Sequence, residues 1–164
     1  MGDCLAVMYT MTTYGTWLRG DERGWVDDGV TQPPSPVLEN VDRHRMKHDP
    51  FRFQDDQLFD VGTMIGRSLI DRLHQRIMAL TVQRWHAHFV VIASDASPAM
   101  IVKCAKDAVR WGLRPGRPIW TDGYDKRFCY DEKAVGARIE YVQRHNLELG
   151  WPARPWSYIE VPAF

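Results

Sequence analysis

"RIMALTVQRWHAHFVVIAS" occupies residues 76 to 94, and its reading decides the fold. "RIMALTVQ" (76–83) and "WHAHFVVIAS" (85–94) read as two strands, with the few residues around Arg84 as the turn between them. Strand alternation puts His86 and His88 on one face with Val90 and Ile92. Trp85, Ala87, Phe89 and Val91 fall on the other. Both faces are partly apolar, so the second strand is predicted to be central in its sheet.

The flanking segments extend the pattern. "CLAVMYTMTT" (4–13) alternates Leu5, Val7, Tyr9 and Met11 with smaller or more polar neighbours and predicts a strand. Residues 55–75 carry Leu58, Val61, Ile65, Leu69 and Leu73 at helical spacing behind an aspartate cap. Ser97 as N-cap and Pro98 at the first helical position open a second helix, whose apolar stripe is Met100, Ile101, Cys104, Ala105, Ala108 and Val109. "RPIWTDGYDKRFCYDE" (117–132) holds a short aromatic strand after a Gly-Tyr step, and a last helix runs from Asp131 to Gly150. The order strand, helix, strand, strand, helix, strand, helix predicts an α+β, ferredoxin-like (split βαβ) two-layer sandwich with a central antiparallel sheet. A C-terminal helix is added to it, and that helix carries Tyr141.

A chain of 164 residues with 45% hydrophobic content buries one good core and is short for two ordinary domains, so residues 1–164 are read as one domain. About forty residues, 14–54, form a long insertion loop without sustained period; "QPPSP" (32–36) within it reads as a surface linker, and residues 151–164 as a C-terminal tail. Three cysteines without CxxC spacing suggest neither a disulfide framework nor a thiolate zinc site. No apolar run is long enough to span a bilayer, and the start lacks the form of a secretory signal. A cytoplasmic protein with no membrane partner is expected. Lys+Arg and Asp+Glu both total 21, which argues against coating nucleic acid through net charge, so any such contact is local.

Chemistry enters at the histidine strand. Imidazoles at i and i+2 lie roughly 7 Å apart at their Cα atoms and can converge on one cation. Taken alone, an HxH is more often an ordinary polar pair, and a third ligand is needed. In the last helix Val135, Ile139 and Val142 make the buried stripe, while Tyr141 and His145 fall together on its flank. A Tyr and a His at i, i+4 also commonly just stack at a helix border. Laid on the histidine face of the sheet, however, this helix would bring Tyr141 and His145 to His86 and His88.

"WHAHFVV" followed by "YVQRHNLELGW", with "IWTDGYDKRFCYDE" (119–132) between and "TTYGTWLRGDERGW" (12–25) before, resembles the single-tyrosine HUH endonucleases. More narrowly, it resembles the REP-associated tyrosine transposases and the transposases of the smallest single-strand insertion sequences. The resemblance covers most of the chain. It implies Tyr141 as the catalytic nucleophile and His86, His88 and His145 as metal ligands. It also implies a divalent cofactor, Mg or Mn, and cleavage of single-stranded DNA that leaves a 5′-phosphotyrosine and a free 3′-hydroxyl. Two departures stand out. The family often has Asn-Pro four and five residues after the tyrosine, where this chain has His145 and Asn146; Arg84 and Trp85 stand where Pro-Asn is common. A third imidazole suits Mn²⁺, Co²⁺ or Zn²⁺ better than Mg²⁺, so other divalent ions are open.

Residues 101–130 hold seven positive against three negative side chains, interleaved with Trp111, Trp120, Tyr124 and Phe128. Such a patch can track a backbone and stack unpaired bases, and it also occurs on plain solvated surfaces. Lys103, Lys106, Arg110, Lys126 and Arg127 are the nucleic-acid-binding candidates there. Arg19 and Arg23, beside Trp17 and Trp25, form a second candidate group. With the resemblance, single-stranded or hairpin DNA is the expected partner, the protein acting as monomer or homodimer at the nucleoid. Two alternatives stay open: a domesticated, non-cleaving nucleic-acid-binding protein on the same fold, and a small metal-dependent hydrolase in which Tyr141 only orients water.

Overall fold

The computed structural model describes residues 2–163. Its elements in chain order are β1 (Ala6–Thr12), β2 (Trp25–Asp27), β3 (Val30–Gln32), α1 (Pro36–Arg45), α2 (Leu58–Leu73), β4 (Ile77–Val82) and β5 (His86–Ile92). α3 (Pro98–Leu113), β6 (Asp125–Cys129) and α4 (Glu132–Glu148) complete the chain. Four strands form one antiparallel sheet in the order β4-β5-β1-β6. This is the split βαβ arrangement: β5 returns from its hairpin with β4 to lie beside β1, and β6 closes the other edge.

Strand alternation sorts the apolar residues into two clusters. Val7, Tyr9, Met11, Ala87, Phe89 and Val91 meet α2 and α3 through Val61, Ile65, Leu69, Ile101, Ala105 and Val109. On the opposite sheet face Ala6, Met8, Met78, Ala79, Val90 and Cys129 receive Val135 and Val142 of α4. Burying two valines contributes roughly 1.5–3 kcal/mol each, so α4 is held by a narrow stripe. Ser97 and Asp131 cap α3 and α4 through bonds to Met100 N and Ala134 N. All three cysteines are free.

Residues 14–54 differ from the expected structureless loop. Asp28 and Gly29, both at positive φ, make the two-residue turn that joins β2 to β3. The "QPPSP" stretch is not a linker: Gln32 ends β3, Ser35 caps α1 and Pro36 is its first residue. The expected aspartate cap of the following helix is also replaced. Gln54 and Gln57 form a capping box around a 3₁₀ turn over Asp55–Gln57, and α2 begins only at Leu58.

The C-terminal tail packs along α2. Trp156 Nε1 donates to Phe59 O at 3.0 Å and the Tyr158 hydroxyl to Gly62 O at 2.6 Å. Gly62 and Gly66 make this approach feasible, because a Cβ at either would fall 2.1 Å or less from the Trp156 or Tyr158 ring.

Candidate metal centre

Thr12 lies opposite His86 and Thr10 opposite His88 across the β1–β5 pair, so both histidines point to the α4 face of the sheet. Their rings are buried, at 5% and 6% exposure, with centroids 4.5 Å apart. α4 crosses this face and brings His145 to 5.6 Å from His86 and 5.0 Å from His88, centroid to centroid. One ligand nitrogen from each of the three lies within 4.8 Å of the other two. Tyr141, one turn earlier on α4 and 38% exposed, sits 5.4 Å from the His88 ring and 4.9 Å from that of His145.

Hydrogen bonds fix the imidazoles. His145 Nδ1 lies 2.9 Å from the carbonyl oxygen of Tyr141. A carbonyl only accepts, so Nδ1 carries the hydrogen and the lone pair of the neutral ring is on Nε2. His88 Nδ1 is engaged by Thr10 Oγ1 at 2.8 Å, which leaves Nε2 to face a ligand. Nδ1 of His86 is buried and has no hydrogen-bond partner. Burial, reinforced by the neighbouring His145 and Arg23, pushes the His86 pKa down to about 3. Burial, reinforced by His86 and His145, pushes that of His88 down to about 2. Both rings are neutral near pH 7, the form in which imidazole binds a metal. Three closely grouped imidazoles, two of them held neutral by burial and one of these with an orphaned buried nitrogen, fit a single divalent cation.

The surroundings add contacts that the sequence did not place: Trp17, Arg23 and Trp85 gather beside His86, and Asn146 anchors α4. Trp85 lies against His86 at 3.8 Å between centroids and faces Trp17 at 5.6 Å. Arg23 covers that pair, its guanidinium carbon 3.9 Å from the Trp17 ring centre. Asn146 is fully buried; its Nδ2 donates to Leu80 O at 2.9 Å and Ala153 O at 3.1 Å, pinning α4 to β4 and to the tail. The signal for it was present, since 146 continues the 135, 139, 142 stripe at helical spacing. Thr10 could be placed only after the β1–β5 register was known.

The cations nominated from the sequence do not gather into one surface. Arg19 makes a two-pronged ion pair with Asp42, and Arg23 one with Asp21. Lys103 and Arg110 share Asp107 on α3, across the sheet from the histidines. Lys106 donates to the carbonyls of Thr121 and Gly123, and burial lowers its pKa. On β6 the register puts Lys126 on the α3 side with Tyr9, and Arg127, paired with Asp125, on the histidine side with Met8.

No family model matches this chain, and no curated protein matches it. Among solved structures, it is similar to a REP-associated tyrosine transposase bound to a REP hairpin. The two share 13% identity, with a TM-score of 0.54 over 96% of this chain and 78% of the other. Among the described residues no helix is long and apolar enough to cross a membrane. At this identity the likeness establishes one thing, a transposase-like α+β fold.

Proposed function

We propose that the protein is a metal-dependent single-strand DNA endonuclease and strand transferase that cleaves through a 5′-phosphotyrosine on Tyr141. The observation that carries this reading is the placement of a partly exposed tyrosine ring beside three histidines grouped tightly enough for one cation. The fold likeness to a transposase bound to a DNA hairpin supports the choice of substrate. His86, His88 and His145 would hold the ion. A bound divalent cation would polarise the scissile phosphate and stabilise the departing oxygen.

Tyr141 does the covalent work. Its Oη forms a bond to phosphorus while the bond from phosphorus to the 3′-oxygen breaks; the phenolic proton passes to solvent, and the 3′-oxygen leaves as a hydroxyl after taking one up. One phosphodiester is exchanged for another, so the bond energy is kept and the 3′-hydroxyl can attack in reverse to rejoin strands. His145, tied to the main chain of Tyr141, keeps ligand and nucleophile on one rigid turn.

The test is a denaturing gel of the protein with end-labelled single-stranded DNA and Mn²⁺. Wild type should leave a detergent-resistant adduct at the 5′ end of the downstream fragment, mapping to the Tyr141 peptide. Tyr141→Phe should form none while folding normally. Cleavage without an adduct would indicate a hydrolase, and binding without cleavage a non-cleaving DNA-binding protein.

A further inference from the structure

The stretch "RHRMKHDPFR" (43–52) carries Arg43, Arg45, Lys47 and Arg52, with His44 and His48, against one acidic residue, Asp49. It runs from the last turn of α1 into the segment that returns to the sheet. There it forms a surface groove of about 600 Å³, walled by Arg43, Lys47, His48 and Arg117, with Asp49 the one carboxylate among its walls.

Arg117 is pre-set for an anion. Its Nη2 donates to Asp49 O and its Nε to Pro118 O, and its guanidinium lies over Phe51 at 5.3 Å. Both partners are carbonyls, so the positive charge is oriented without being neutralised. Arg45, Lys47 and Arg52 likewise have no carboxylate partner among the described residues, and Arg43 alone of this group pairs, with Glu39. Arg19, Arg23, Lys103, Arg110 and Arg127 already hold carboxylates that a phosphate would have to displace.

The groove is tied to the histidine end of the sheet. Phe51 N donates to Tyr14 O, Phe53 N to Arg84 O and Thr13 N to Trp85 O, so the chain that leaves the groove at Pro50 is stitched to the two residues that precede His86. A strand held by one phosphate at the histidines must leave over neighbouring surface, and this neighbour offers free positive charge.

We propose that the groove between the C-terminal end of α1 and Arg117 is a docking site for the phosphodiester backbone of the DNA that reaches the histidine cluster. The proposal rests on the nucleic-acid reading above. Arg117 belongs to the positive 101–130 stretch, but Arg43, Lys47 and the other cations of 43–52 are ones the sequence did not single out.

The test measures anisotropy of two labelled probes, an unpaired oligonucleotide and a hairpin with an unpaired flank, between about 50 and 200 mM salt. Lys47→Gln with Arg117→Gln should weaken binding about tenfold or more and reduce the salt slope by about one to two. Co²⁺ binding by the histidines should be unchanged. Loss on the hairpin alone would place the paired stem in the groove; loss on both would place the unpaired strand there. Lys47→Glu, at an exposed position, gives the same reading should the double variant fold poorly. Unchanged affinity and slope, or an equal loss in Lys103→Gln with Arg110→Gln, would overturn the proposal. Wild type that binds neither probe would overturn the nucleic-acid reading itself, and the groove's assignment with it.

Discussion

His145 donates its Nδ1 hydrogen to the carbonyl oxygen of Tyr141, 2.9 Å away, so a candidate ligand and the candidate nucleophile occupy one turn of α4 in fixed relation. The imidazole leaves a softer donor in the ligand set than an amide oxygen provides. His145→Asn should therefore raise the ratio of cleavage in Mg²⁺ to cleavage in Mn²⁺, read from initial rates in each metal. An unchanged ratio would remove His145 from the coordination sphere.

His86→Ala or His88→Ala should abolish cleavage and lower Co²⁺ affinity, while DNA affinity changes less than about tenfold, or roughly 1.4 kcal/mol. On the proposed reading many phosphate contacts would share the binding energy, whereas a cation at the histidines would act at one phosphate. Parallel loss of DNA binding and cleavage would mean that the metal organises the structure instead.

Asn146 supplies two hydrogen bonds from one buried amide, to Leu80 O and Ala153 O. Asn146→Ala deprives both carbonyls of a donor and should destabilise the protein by about 2–4 kcal/mol in urea unfolding. Asn146→Asp should be worse, because an oxygen would replace the donor facing two carbonyl oxygens. A loss below about 0.5 kcal/mol in the alanine variant would show that α4 is held by its valines alone.

Asp21 accepts from the side chain and backbone of Arg23, and these bonds hold its carboxyl below the ordinary range. A depressed carboxylate stabilises the fold above its unfolded pKa, about 3.9, and that contribution fades as pH falls through the folded value. Asp21→Asn should thus cost about 1–3 kcal/mol at pH 7, and the gap to wild type should narrow below about pH 3.9. Equilibrium unfolding at both pH values checks this; a gap independent of pH would assign the loss to packing.

Much of this was legible locally. Alternation in "WHAHFVVIAS" sorts the two histidines from Ala87, Phe89 and Val91, and helical spacing in α4 places Tyr141 and His145 together beside the valine stripe, since side-chain periodicity depends only on backbone geometry. The Asp28-Gly29 hairpin signal and the Ser35-Pro36 helix start were equally local, though overshadowed by a segment lacking sustained period. What tertiary structure alone decided are relations between residues distant in the chain. Thr10 meets His88 only through strand register. Arg19 and Arg23 are taken by Asp42 and Asp21, while Arg117 is left charged over Phe51. Sequence counts charges, but whether a cation is spent on a carboxylate or left for a phosphate depends on which chain segments pack side by side.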